Sequence, residues 1–407
     1  MLVLASGILL GAASATAQEA DEIRVALPAE GDTLDPTHMS LTTSFSVATN
    51  IYSGLVRYEP GTIDLMPDLA ESWETSEDGL TWTFHLRDDV HWHKGYGKLT
   101  AQDVVDSFEY MRDPDSSSRW ASELGVIDEI SAPDDTTVVF TLHRPSAAFL
   151  HTVSAFRQGL ILNMQALEDF GDEYGRNPVG TGAYTFENWV PGVEVELKAN
   201  PDFYLGEPEV ETATFVVIPD ENVRMMALQR GEVDIALGLQ NPEIYAQLLE
   251  VEGINSGEVT SSTVHGIGFN TRMEPFDDVR VRRALLHALD REAIAEVIWG
   301  GLAEPAYSDL APPYLGHNPD VPRYEYDPEL ARELLAEAGY PDGFKTTLYW
   351  LSTHSTELLG TVRAMWSSIG VEAEVKMVDG GAWISAMGTG EAPMILRLTT
   401  RADPHQW

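Results

Sequence analysis

Residues 65–111 read LMPDLAESWETSEDGLTWTFHLRDDVHWHKGYGKLTAQDVVDSFEYM. Leu80, Trp82, Phe84 and Leu86 alternate with Thr81, Thr83, His85 and Arg87, the period of two that buries one face of a strand. Glu77-Asp78-Gly79 before that run and Asp88-Asp89 after it are turn chemistry. Thr100 with Asp103 three residues on comes close to a capping box, so a helix is predicted to start there. Val104, Phe108 and Met111 give this helix one apolar face. On these grounds alone the stretch is a small α+β unit.

Working outward, the periodicity predicts a strand over 23–27 and, over 44–58, a helix followed by extended chain. The turn at Ala132-Pro133-Asp134-Asp135 introduces a strand over 136–142. Further on, a helix over 221–230 stops at Gly231, and strands are expected over 233–237 and 265–270. Asp277-Asp278 start a helix whose Val281, Leu285 and Leu289 share a face, and Asp290 caps another. Asp327-Pro328 is an N-cap with proline at the first helical position, and Gly339 and Pro341 end that helix. A strand over 348–351, a helix over 357–369 closed by Gly370, and strands over 371–377 and 395–398 complete a β-α-β rhythm. Gly180 and Gly182 mark a closely packed chain crossing; a phosphate loop there would need a lysine and a helix start that GTG lacks.

The 407 residues exceed what one core normally organises, and with 43% hydrophobic residues they can build two or three. A net charge of −40, with lysine only at Lys94, Lys98, Lys198, Lys345 and Lys376, repels nucleic acid and anionic lipid and excludes both as expected partners. It fits a salty habitat or an ordinary acidic secreted protein about equally. The absence of cysteine excludes disulfides, thiolate metal sites, cysteine nucleophiles and lipid-modified cysteine. The apolar start, MLVLASGILLGAASATA, ends in the small-x-small pattern Ala15-Thr16-Ala17 and is read as an export signal over 1–17. A buried N-terminal helix is the structural alternative; a spanning helix would need roughly 20 apolar residues. Export without a lipid anchor points to a periplasm.

The wording PDLAESWETSEDGLTWTFHLRDD followed by LTAQDVVDSFEYM resembles the signature of the family 5 extracellular solute-binding proteins, the peptide- and nickel-type receptors of ABC importers. GDTLDP (31–36), NIYSGLVRYEP (50–60), NPVGTGAYTFENW (177–189) and NTRMEPFDDVRVRRALLHALDREAI (270–294) extend the resemblance over nearly all of 23–407. It implies a mixed α/β, two-lobed periplasmic-binding-protein fold of type II, cluster C-like, with an extra subdomain inserted in the first lobe. By that pattern the first lobe comprises 23–58 and 180–268, the insert 59–179, and the second lobe 269–407. The second lobe is expected to be incomplete at Trp407. The resemblance further implies no catalysis and no cofactor. A monomer would capture a small ligand, di- or oligopeptides foremost, between closing lobes and deliver it to the transporter's membrane permease subunits.

In peptide-binding relatives the resemblance implies an aspartate that pairs with the ligand's amine, in a word matched here by Ala402-Asp403. Asp403 is therefore the first candidate anchor, since an unpaired buried ammonium would cost several kcal/mol or so. Arg401 beside it either grips a carboxylate bidentately or pairs with Asp403, and His405 points towards the nickel-chelate branch. Thr42 and Thr43 occupy the first-lobe loop that faces the ligand in relatives. His354 follows a strand at its carboxyl end, where open α/β sheets place ligands, and Trp383 stands where an aromatic walls the cleft. Each of these is equally readable as structural. His91 and His93, two apart, could meet one metal, but with no third ligand evident the pair is read as ordinary strand residues. No G-x-S-x-G or H-E-x-x-H word occurs. The alternatives kept open are a nickel chelate, oligosaccharide or other solute as ligand, and a secreted carboxylate-dependent hydrolase. A chaperone-like role has no feature of its own.

Overall fold

The computed structural model describes residues 21–62, 64–116, 118–154, 156–239, 241–255, 263–311, 317–352 and 354–400. The chain divides into two compact units, one within Met1–Leu239 and Gln247–Ser256, the other within Gln240–Ala246 and Gly257–Trp407.

In the first unit, β1 (Glu22–Leu27) and α1 (Thr42–Ile51) are followed by the short β2 (Val56–Tyr58) and β3 (Leu65–Pro67), which pair with each other. The opening stretch then builds β4 (Ala70–Thr75), β5 (Thr81–Leu86) and α2 (Ala101–Arg112), joined by β6 (Ile127–Asp134) and β7 (Thr137–Leu142) into an antiparallel sheet of order β4-β5-β7-β6. Phe84 and Leu86 are buried and Trp82 half-buried, as the alternation requires. The start of α2 is fixed by the Asp103 carboxylate, which accepts the Thr100 backbone N–H at 2.7 Å and its hydroxyl at 2.8 Å. Val104, Phe108 and Met111 are fully buried. Phe108 meets Phe140 edge-on at 5.3 Å, and Phe140 meets Phe84 at 5.6 Å, so three rings pin the helix to the sheet. Such pairs contribute about 0.5–1.5 kcal/mol each beyond the burial of the rings.

After α3 (Phe149–Thr152) and α4 (Met164–Phe170), β8 (Tyr184–Val190), β9 (Glu194–Ala199), β10 (Thr212–Val217), α5 (Glu221–Gln229) and β11 (Ile235–Ala236) complete a sheet of order β11-β1-β10-β9-β8. Its β1 runs parallel to both β10 and β11, whereas β8, β9 and β10 are antiparallel. The strand expected over 233–237 shortens to the two residues of β11. The crossing before β8 is as tight as its glycines foretell. A Cβ on Gly180 would sit 2.0 Å from the Ile51 carbonyl oxygen, and one on Gly182 2.5 Å from that of Asn50. Close approach of backbone to α1, rather than a left-handed conformation, demands glycine here.

His91 and His93 do not share a strand face. His91 forms a lone bridge to Lys98, while His93 opens a single 3-10 turn (His93–Gly95) and is buried. Its Nε2–H donates to the Gly182 carbonyl at 3.0 Å, and burial pushes the imidazole down to about 4. A histidine so committed faces away from shared ligation with exposed His91.

The division between units falls at α6 (Pro242–Leu249). The second unit contains β12 (Thr263–Phe269), α7 (Val279–His287), α8 (Arg291–Trp299), α9 (Pro328–Glu337), β13 (Phe344–Leu351), α10 (Thr356–Ser367), β14 (Val371–Val378), α11 (Gly380–Thr389) and β15 (Met394–Thr400). Its sheet has the order β12-β15-β13-β14, with β13 parallel to β14 and β15, and β12 antiparallel to β15. Every helix from α7 to α11 begins at a side-chain cap: Asp278, Asp290, Asp327, Ser355 and Asp379 each accept a first-turn N–H at 2.8–3.1 Å. Val281 and Leu285 are fully buried on α7, which ends at His287, leaving Leu289 half-buried just beyond it. Trp366 on α10 donates from Nε1 to the Leu285 carbonyl at 3.1 Å. Among the described residues no helix is long and apolar enough to cross a membrane.

Candidate ligand-binding site

In the first unit the loop leaving the carboxyl end of β1 is tied to the start of α1 by one carboxylate. Asp32 accepts the Ser40 backbone N–H at 2.8 Å, the Ser40 hydroxyl at 2.6 Å, the Ser44 hydroxyl, and the Thr33 N–H at 3.1 Å. Burial alone would raise this carboxyl, but the bonds from Ser40 and Ser44 outweigh it and hold Asp32 below the usual carboxylate range. The helix needs this help, because its N-cap residue, Leu41, has no side-chain acceptor to offer.

Thr42 is exposed on the first turn of α1. Thr43 is buried, its hydroxyl directed at the Glu30 carbonyl at 3.5 Å. The Glu30 carboxylate accepts Trp189 Nε1–H at 2.9 Å, and the Arg176 guanidinium lies 3.4 Å from the centre of the Trp189 ring. Thr42 thus presents a free surface beside a loop end fixed by Asp32 and Glu30.

In the second unit the carboxyl ends of the parallel strands gather a different set. His354 follows β13, its backbone N–H donating to Leu351 at 2.9 Å, and its Nε2 lies 3.0 Å from Nδ1 of His265 on β12. One ring donates and the other accepts across that gap. Trp299 packs edge-on to His265 at 5.4 Å, and Trp350 lies 5.7 Å from His354. Burial, followed by the neighbouring His354, pushes His265 down to about 4; burial also lowers His354. Both shifts favour the neutral imidazole at this pair.

Trp383 lies on α11 and donates from Nε1 to the Leu396 carbonyl of β15 at 2.8 Å, half-buried against Tyr349, Val378, Ala386 and Ala392. Beside it the Lys376 ammonium donates to the Tyr349 hydroxyl at 2.9 Å. His265 carried no site signal in the sequence, because its partner stands 89 residues away. Asp403, Arg401 and His405 lie outside the described residues. Within those described, no group of three or more histidine, aspartate or glutamate side chains is placed to hold a metal ion.

Comparison with known proteins bears on this geometry. Residues 64–406 match the family described as bacterial extracellular solute-binding proteins, family 5. The chain is 31% identical over 382 residues to the dipeptide-binding protein of Escherichia coli (strain K12), covering 87% of this chain and 71% of that one. Among solved structures, the ABC transporter-associated periplasmic binding protein DppA from Helicobacter pylori, in complex with the peptide STSA, superimposes with a TM-score of 0.82 at 30% identity. That match covers 94% of this chain and 79% of the other. NikZ from Campylobacter jejuni, in complex with Ni(L-His), gives 0.79 at 27% identity, over 94% and 78%.

Proposed function

Because this chain belongs to the bacterial extracellular solute-binding proteins, family 5, we propose that it captures di- or oligopeptides and hands them to the membrane permease subunits of an ABC importer. The observation that carries this reading is the likeness to a dipeptide-binding protein in sequence and to a peptide complex in structure. The family and the relatives it matches are binding proteins, which leaves the hydrolase alternative without support.

In this reading the protein works as a periplasmic monomer whose two lobes close on the solute. The first lobe is assigned to 23–58 and 180–268, with 59–179 inserted and 269–407 as the second lobe, save that β12 pairs with β15 and so goes with the second. Thr42, Thr43, His354 and Trp383 belong to the ligand-facing set, and Asp403 meets the peptide amine with Arg401 and His405 beside it. The test is isothermal titration of the metal-free chain with a panel of di- and tripeptides. One-to-one binding that weakens at least tenfold on Asp403→Asn supports the assignment. Heat signals from sugars alone, with none from any peptide, would overturn it.

A further inference from the structure

We propose that the first unit carries an effector site for a small organic cation, an ammonium group borne on an apolar body, beside the loop that holds Trp120. The site goes beyond the peptide reading; only its link to solute capture rests on that reading.

A cleft of about 630 Å³ opens between the end of α2, the chain joining α2 to β6, and the adjoining ends of β6 and β7. Tyr110, Asp113, Pro114, Leu124, Ile127 and His143 are among the residues that line it. Its volume is that of a site for a small organic molecule.

The spare bonding capacity of the walls decides the charge of the occupant. The guanidinium of Arg112 is already spent, with Nε donating to the Glu109 carboxylate at 2.7 Å. Its Nη1 donates to the carbonyls of Ile127 and Asp128 at 2.9 and 3.1 Å. His143 lies 3.4 Å from the Asp128 carboxylate. Asp113, by contrast, is exposed and accepts one backbone N–H, from Asp115 at 2.9 Å. The Tyr110 hydroxyl is raised by burial and then by the charges of Asp35 and Asp113, the mark of negative surroundings. A field of that sign repels an anion and concentrates a cation. An ammonium group finds the Tyr110 phenol and the Asp113 carboxylate there, and its apolar body finds Pro114, Leu124 and Ile127. A metal ion is the poorer fit: among the described residues no three histidine, aspartate or glutamate side chains are placed to hold one.

The position gives the site a consequence. Ala121 also lines the cleft, and its neighbour Trp120 is buried, donating from Nε1 to the Pro36 carbonyl at 2.7 Å. The Trp120 ring lies 6.4 Å from Phe45 of α1, the helix whose first turn holds Thr42 and Thr43. An occupant touching Ala121 therefore bears on the setting of Trp120 and, through it, on α1. Such an occupant shifts solute affinity to the extent that it prefers one arrangement of this loop.

The competing account is that a chain of net charge −40 draws any cation diffusely over its surface. Calorimetric titration of the full chain with phenethylamine, and with phenylacetate as a probe of similar shape and opposite charge, separates the two. The proposal expects one equivalent of phenethylamine and no phenylacetate. Asp113→Asn, which keeps an acceptor for Asp115, and Ala121→Trp, which fills the cleft without changing charge, should each weaken the amine about tenfold or more. Glu207→Gln, an exposed acid elsewhere on the first unit, should leave it within about twofold. Urea unfolding checks each variant, and Asp113→Asn decides alone where Ala121→Trp fails to fold. No saturable amine binding, equal uptake of phenylacetate, or equal losses in Asp113→Asn and Glu207→Gln would overturn the site. Dipeptide titration with and without saturating phenethylamine reads the coupling, and an unchanged peptide affinity would overturn that link. A chain that takes the amine but no peptide contradicts the peptide reading and leaves the site standing.

Discussion

All sixteen polar or charged side chains that are buried among the described residues, from Thr37 to Arg224, lie in the first unit; the second unit buries none. The cause is how each unit satisfies its backbone. In the second unit five helix caps satisfy first-turn amides within two or three residues of sequence, and the strand ladders satisfy most of the rest. Its interior is left to Phe276, Leu348, Trp350 and Trp366. In the first unit the chain crosses itself away from any ladder, and distant side chains must meet the exposed carbonyls and amides. His93 and Asn200 both donate to Gly182, at 3.0 and 3.1 Å. Ser107 accepts the Leu162 N–H at 3.0 Å, and Asp68 accepts the Gly54 N–H at 3.1 Å and the Tyr204 hydroxyl. Buried polar side chains that join distant segments belong to the first unit, whereas the second encloses an apolar interior. Damage to those long-range contacts should therefore dominate the mutational response.

The largest expected effect is at the crossing itself. Gly180→Ala places a Cβ against the Ile51 carbonyl in a spot where only backbone could yield, and should cost about 3 kcal/mol or more in urea unfolding. A loss below about 1 kcal/mol would show that the crossing relaxes easily.

Next comes Tyr204→Phe. The Tyr204 hydroxyl donates to buried Asp68, whose carboxyl is already raised by burial, so its loss leaves a buried acceptor short of a donor. The expected cost is about 2 kcal/mol, and a double-mutant cycle with Asp68→Asn should recover much of it as coupling.

His93 tests the comparison through pH. Its folded value of about 4 lies below the 6.5 of a free histidine, so between those values the unfolded chain binds a proton that the folded chain refuses. The stability this group contributes is present above pH 6.5 and is lost as pH falls towards 4, by about 1.4 kcal/mol per pH unit. His93→Gln should keep a donor towards Gly182 while flattening that slope, read from urea midpoints between pH 4.5 and 7. Parallel slopes in both proteins would remove His93 from the account.

The smallest effect belongs to the second unit and has the opposite sign. Gly360 is exposed inside α10 with open space around its would-be Cβ, so Gly360→Ala should stabilise by about 0.5–1 kcal/mol.

The same contrast governs what could be read without a structure. Asp278, Asp290, Asp327-Pro328 and Gly370 announce their helix ends locally, and each stands where expected. α11 escaped because Gly380 and Gly381 occupy its first turn, although Asp379 is its cap. The hairpin of β8 and β9 lies inside the stretch that carries the family wording. Its Tyr184 and Phe186 alternate, and the turn at Pro191-Gly192 was the signal. Resemblance and strand position name Thr42, His354 and Trp383 as candidates. The contact between His265 and His354 is not legible, since nothing in the word HGIGFN says that another imidazole stands 3.0 Å away. Sequence shows chemistry that closes on itself locally; contacts between distant segments become visible only when the chain is folded.

The most direct test of the central claim is native mass spectrometry of the mature protein purified gently from an exporting host. The account predicts a one-to-one adduct whose mass matches short peptides, released chemically intact on unfolding and restored by adding a di- or tripeptide. Peptides that are cleaved while bound, or a protein that takes up none of them, would contradict it.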